Sequence, residues 1–81
     1  DYKAHLNLGT AHFSRKDYAK AEACFRRAVE IDKAVAEGHF NLGLALAGLR
    51  KYDEAEAALK QAVRRDERLS DRANPILSAI R

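Results

Sequence analysis

Four side chains in this 81-residue chain carry chemistry that could hold a metal or attack a substrate: His5, His12, His39 and Cys24. His5 and His12 are seven residues apart, on one face if the segment is helical. With His39 they would make a conceivable zinc cluster. No Asp, Glu or Cys joins them at ligand spacing, so the three read as structural histidines. Cys24 has no base or cation fixed beside it of the kind a reactive thiol needs, and as a lone cysteine it allows no internal disulfide. A glycine-rich phosphate loop, HExxH, CxxC and a nucleophile placed beside a base are all missing. The expectation is therefore a chain that is not an enzyme and takes no cofactor or metal.

The remaining chemistry is charge. Arg26, Arg27, Lys60, Arg64, Arg65, Arg68 and Arg72 make one part of the chain basic, yet the net charge is only +3 and acids are interspersed along most of the sequence. No aromatic residue is interleaved to stack bases, so nucleic acid is not the expected partner; a solvated helix face is the plainer reading, and a basic face that binds an acidic protein or nucleic acid is the minority one. No apolar run approaches the roughly 18 residues of a membrane-spanning helix, and no membrane association is expected. The first residue is Asp1, which suggests a piece of a longer protein. Nothing in the residues sets a compartment, and the cytoplasm is the reading kept.

The elements that position these residues come from an internal repeat. Shifting the chain by 34 residues aligns 2–35 with 36–69 without a gap. Twelve of those 34 pairs are identical: His5/His39, Asn7/Asn41, Leu8/Leu42, Gly9/Gly43, Ala11/Ala45, Tyr18/Tyr52, Ala21/Ala55, Glu22/Glu56, Ala23/Ala57, Ala28/Ala62, Val29/Val63 and Asp32/Asp66. Average composition would give roughly two or three. A period of this size means stacked supersecondary units. Within each unit the apolar spacing is helical: Ala4, Leu8, Ala11 and then Tyr18, Ala21, Phe25, Ala28, with Gly38, Leu42, Ala45 and Tyr52, Ala55, Leu59, Ala62 in the copy. Only a tight turn fits at Arg15-Lys16-Asp17 and at Arg50-Lys51, so each unit is a pair of antiparallel helices. Asp17 is placed to cap the second helix of the first unit. Gly9 and Gly43 sit mid-helix, where glycine costs about 0.5–1 kcal/mol relative to alanine. Their recurrence predicts a second helix whose backbone passes too close for a Cβ.

This order and spacing resemble the tetratricopeptide repeat. Leu8-Gly9 with Tyr18, Ala21, Phe25 and Ala28 carries the resemblance in one unit, and Leu42-Gly43 with Tyr52, Ala55, Leu59 and Ala62 in the next. Departures are His5 and His39 for the family's tryptophan, His12 and Leu46 for its first tyrosine, Lys16 and Arg50 for the turn glycine, and Lys33 and Glu67 for the closing proline. The expected organisation is all-α: units at 2–35 and 36–69 and a capping helix over 70–81, stacked as a short right-handed α-solenoid. The last helix should begin near Ser70 or Asp71 and bend or restart at Pro75.

The resemblance implies a protein-interaction scaffold whose first helices line a concave groove for a peptide or protein segment. The groove positions are Lys3, Leu6, Asn7, Thr10 and Phe13 on the first unit and Glu37, Phe40, Asn41, Leu44 and Ala47 on the second. Leu6, Phe13, Phe40 and Leu44 are not needed for the stripe inside each unit, which suggests an exposed apolar strip. Phe13 and Phe40 could instead pack against neighbouring units. Asn7 and Asn41 could hydrogen-bond the backbone of an extended peptide. Co-chaperones of this family clamp a C-terminal carboxylate, but of the matching positions here (Leu6, Thr10, Asn41, Asp71, Pro75) only Asn41 agrees, so that clamp is not expected. A second copy of the chain is the alternative partner, paired through the exposed repeat ends or by exchange of the last helix.

Overall fold

The computed structural model describes residues 1–80. Helix α1 spans Tyr2–Ser14, α2 Tyr18–Ile31, α3 Ala36–Gly48, α4 Tyr52–Arg65 and α5 Ser70–Ile80, with a single 3-10 turn at Glu67–Leu69 before the last. Among the described residues there is no strand, and no helix is long and apolar enough to cross a membrane. Helix α5 begins at Ser70 and runs through Pro75 as one element, so of the bend or restart expected there it does not restart. The expected end of that segment, Arg81, lies outside the described residues.

Local chemistry sets the helix ends. The Asp1 carboxylate accepts from the backbone N–H of Lys3 at 3.0 Å and opens α1. Asp17 accepts from Lys20 N–H at 3.4 Å and opens α2, as its position in the sequence requires. The two turns are built alike. Lys16 and Arg50 both adopt φ 63°, the left-handed region usually left to glycine. In the first turn Asp17 N–H bonds the carbonyl of His12 and Lys16 N–H that of Phe13. In the second, Lys51 N–H bonds Leu46 and Arg50 N–H bonds Ala47. This doubly bonded C-terminal cap satisfies carbonyls the helix leaves open, so the turns hold without the family's glycine.

The connection between the units is pinned differently. Where the family has a proline, the carbonyl of Lys33 accepts from His39 Nε2 at 2.9 Å and from Arg65 Nε at 2.6 Å. A carbonyl can only accept, so His39 carries its proton on Nε2. One backbone oxygen thus joins the loop to both helices of the second unit. His39 is buried and committed to this bond. His5, its counterpart, is half-buried near the other end of the molecule.

Helix α3 is the centre of the fold. It lies between α2 and α4 and buries Gly38, His39, Phe40, Leu42, Gly43, Ala45 and Leu46, so it is apolar nearly all round. One core joins Leu6, Ala21, Phe25, Ala28, Leu42, Ala45, Leu46, Ala55 and Ala58. A second joins Phe40, Leu59, Ala62 and Ala73, with Leu44, Val63, Ile76 and Leu77 against it. Ile80 packs on both.

The glycines do serve close approach, but mainly to side chains. A Cβ on Gly9 would fall 2.5 Å from Cε1 of Phe25, and one on Gly43 2.7 Å from Cγ of Leu59. Among the nearest atoms backbone enters at Gly43, where the carbonyl oxygen of Ala55 would be 3.3 Å away. The expected backbone contact is therefore replaced by a large side chain of the second helix lying on the first.

The stripe Ala4, Leu8, Ala11 also differs from expectation. Leu42 is 7% exposed, whereas Leu8 at the same unit position is 51% exposed, and Ala4 and Ala11 face solvent with it. That face of α3 meets α2 of the preceding unit: a Cβ on Gly38 would be 3.2 Å from Val29 Cγ2. The stripe is an inter-unit surface, and on α1 it is bare. Tyr18 and Tyr52 diverge for a similar reason. The Tyr18 ring lies against Gly48 of the next unit, while Tyr52 stays 45% exposed.

An ion network joins the second helices of the two units. Glu22 accepts from Arg26 Nε at 2.7 Å and from Lys51 Nζ at 3.3 Å, and Arg26 reaches Glu54 at 3.1 Å. Burial alone would push the Glu22 carboxyl up, but the bonds from Arg26 and Lys51 outweigh it and hold the group below its ordinary value of 4.5.

Two outcomes are expected. Gly9→Ala should lower stability by about 1–2 kcal/mol in urea titrations, because the clash with the buried Phe25 ring exceeds the helix-propensity gain. A carboxyl whose folded pKa is depressed stabilises the fold above its unfolded pKa, and that stabilisation is lost as pH falls through the folded value. Glu22→Gln should therefore cost about 0.5–1 kcal/mol near neutral pH, the partners being half exposed, with the difference from the parent vanishing well below about pH 4.

Candidate functional site

Helices α1 and α3 wall a groove of about 390 Å³ that contains six of the ten expected groove residues: Lys3, Leu6, Asn7, Thr10, Glu37 and Asn41. Tyr2 and Val35 line it too. Neither was anticipated, because each sits at the edge of a unit, where the aligned residues (Ala36 for Tyr2, Leu69 for Val35) share no polar pattern. Thr10 and Asn41 also line a second cavity of about 130 Å³, walled by Phe13, Phe25 and Leu44, so the two cavities meet.

The polar groups of the groove fall into two classes. The Thr10 hydroxyl is spent: Oγ1 donates to the carbonyl of Leu6 at 2.8 Å. Asn7 and Asn41 are free, their side-chain amides having no hydrogen-bond partner among the described residues. Asn7 is exposed and Asn41 half-buried. Lys3 and Glu37 are exposed on opposite walls, and neither forms an ion pair among the described residues. An asparagine amide offers both donors and an acceptor, which is what a peptide unit of either sense requires.

The apolar strip expected along this face is not exposed as such. Leu6 is 6% exposed and belongs to the first core. Phe40 is 3% exposed and belongs to the second, with the Arg72 guanidinium over its ring at 4.6 Å. Ala73, Ile76 and Ile80 of α5 fill the same core. Phe13, Leu44 and Ala47 are half-buried, Phe13 meeting Tyr18 edge-on with ring centres 5.2 Å apart. The face is a polar-rimmed groove with one small apolar recess. Of the two readings of Phe40, packing is the one realised.

On the second helices and the segment that follows them, most of the basic residues singled out in the sequence are engaged within the molecule. Arg26 meets Glu22 and Glu54, Arg27 meets Glu30 at 3.4 Å, Lys60 meets Glu56 at 3.9 Å and Arg68 meets Asp66 at 2.9 Å. Arg65 is bound to Lys33 and Arg72 to Phe40, which leaves Arg64. Cys24 is half-buried on α2.

Residues 2–68 match the family model described as Tetratricopeptide repeat, most of the chain. The chain belongs to the tetratricopeptide repeat family. It is also similar over 35 residues to Superkiller complex protein 3, at 52% identity for the Mus musculus protein and 61% for that of Homo sapiens. Each alignment covers 43% of this chain and 2% of the relative, so the likeness is to about one unit of a much larger protein. Tetratricopeptide repeats are in general protein–protein interaction modules, and the helical architecture agrees with that family. Four family departures now have a physical account: His39 replaces the tryptophan by bonding Lys33, and the left-handed Lys16 and Arg50 replace the turn glycines. Lys33 itself needs no ring, because its carbonyl is held twice.

Proposed function

We propose that the groove between α1 and α3 binds an extended peptide segment of a partner protein, reading its backbone with Asn7 and Asn41. The observation that carries this is the pair of unpartnered amides at one unit position, on facing walls of one continuous groove. Partial burial of Asn41 strengthens any bond it makes, since less water competes. Lys3 and Glu37 flank them without internal partners and supply one charge of each sign to the groove. The relatives named for a complex fit a module that works by contact with other proteins. A test is selection of linear peptides from a random library on the immobilised chain. The double variant Asn7→Ala/Asn41→Ala should bind the selected peptides at least about tenfold more weakly, with helix content by circular dichroism unchanged. Equal affinity would remove the backbone-reading role.

A second reading, self-association, is favoured by one observation: Leu8, Ala4 and Ala11 form a bare stripe on α1 whose counterpart on α3 is an inter-unit contact. Such a stripe suits another helix, including one from a second copy. Sedimentation velocity over a wide concentration range should then show a dimer that Leu8→Glu abolishes. A monomer throughout rejects this reading and leaves the groove untouched.

A further inference from the structure

Away from the α1–α3 groove, α4 and α5 enclose a cleft lined by Lys60, Val63 and Arg64 of α4 and by Asn74 and Leu77 of α5. Val63 and Leu77 are half-buried and rest on the second core, so the floor is apolar. Lys60, Arg64 and Asn74 are exposed above it. The lining carries two cations and no carboxylate, and Asp71, the acid of α5, is not part of it. The other charged grooves are balanced: Lys3 accompanies Glu37 between α1 and α3, and Arg26 accompanies Glu54 in the cleft beside His39.

The internal repeat shows what the balanced form of this cleft looks like. In the first unit Arg26, Val29 and Glu30 stand at the positions of Lys60, Val63 and Arg64, and they line a cavity with Leu42 of α3. There the charges close on one another: Arg26 meets Glu22 and Glu54, and Glu30 meets Arg27 at 3.4 Å. In the second unit an arginine takes the place of Glu30. Arg64 has no ion pair or hydrogen bond among the described residues, and Lys60 meets Glu56 at 3.9 Å, the outer limit of an ion pair. Lys60 and Arg64 lie four residues apart, the spacing at which like charges on a helix repel. The dipole of α4 favours a cation in its last turn, where Arg64 lies, but fades before the turn that holds Lys60.

Unbalanced cations over an apolar floor, with the unpartnered Asn74 amide opposite, fit a chain that offers carboxylates and an apolar side chain together. Phosphates are the poorer match. No aromatic residue lines the cleft to stack a base, and two cations neutralise little of a nucleic-acid backbone. We infer that the α4–α5 cleft docks an acidic segment of a protein partner, with its carboxylates on Lys60 and Arg64 and an apolar side chain on Val63 and Leu77. The cleft shares no residue with the α1–α3 groove, so the two sites stand or fall separately.

The test is an NMR titration of the isotope-labelled intact chain with three pools of short synthetic peptides and with oligothymidylate. The pools combine Asp and Glu with Leu and Phe, Asp and Glu with Ser and Gly, and Gln with Leu and Phe. The first pool should move the amide resonances of residues 60–64 and 74–77, bind about fivefold or more tightly than the other two, and weaken as salt rises. Arg64→Glu, which restores the charge order of the first unit, should weaken that pool about fivefold or more, and Lys60→Gln about twofold. Both positions are exposed, and thermal melts establish that the variants remain folded. Equal binding by the acidic pool without apolar residues, or by oligothymidylate, overturns the site as one for an acidic, apolar segment. Shifts confined to other residues, indifference to Arg64→Glu, or no binding of the first pool overturn it as well. Shifts at 60–64 that arise when the chain alone is concentrated assign the face to a second copy and overturn it too.

Discussion

In each unit a bulky side chain of the second helix lies directly on a glycine of the first, Phe25 on Gly9 and Leu59 on Gly43. Everything else in the structure is arranged around these two approaches. A Cβ at either glycine would intrude on a side chain that is itself almost fully buried, so the interhelical spacing is set by steric exclusion. With the spacing set, Ala21, Ala28, Ala55 and Ala62 all become buried. Helix α3 can then lie against α2 and α4 at once and supply most of the core. Because Phe25 is pressed against Gly9, its ring is held as the floor of the recess as well as the centre of a helix pair.

The contacts between units follow different physics from those within them. Gly38 and Gly48 admit Val29 and Tyr18 of the preceding unit, and the Lys33 carbonyl binds His39 and Arg65. On the outer side, Glu22 gathers Arg26 and Lys51, and Arg26 extends the chain of charges to Glu54. The inter-unit seam is thus more polar than either helix hairpin and contains Glu22, whose carboxyl burial would raise and the bonds from Arg26 and Lys51 hold below its ordinary value. Surface ion pairs contribute little individually. Their value here lies in register, since each long side chain reaches across a unit boundary.

The two ends of the stack are finished unequally. At one, α5 places Ala73, Ile76 and Leu77 against α4 and Phe40, so the apolar surface is covered. At the other, α1 buries only Leu6 and Gly9 and leaves Leu8 in solvent. A residue's unit position therefore does not fix its environment: Leu8 and Leu42 are the same letter at the same place, and among the described residues only Leu42 has α2 packed beside it. The groove, in contrast, is made by the two first helices together, with Asn7 and Asn41 in matching places on its walls.

The 34-residue identity pattern, the helical spacing and the two tight turns were enough by themselves to establish paired helices, the all-α class and the family, because they depend on residues close in sequence and on a period that composition cannot produce. The Asp17 cap and the need for small residues at Gly9 and Gly43 were legible for the same reason. What the sequence could not decide was which apolar residues remain accessible. Leu6 and Phe40 looked available for a partner and are core; Leu8 looked like core and is bare. Exposure depends on neighbours distant in the chain, above all on the path of α5 over Phe40 and on α2 lying beside the Leu42 face of α3. Tertiary structure alone also showed that Lys33 is held through its carbonyl and that Thr10 and Asn41 join a polar groove to an apolar recess, since both depend on where three helices meet.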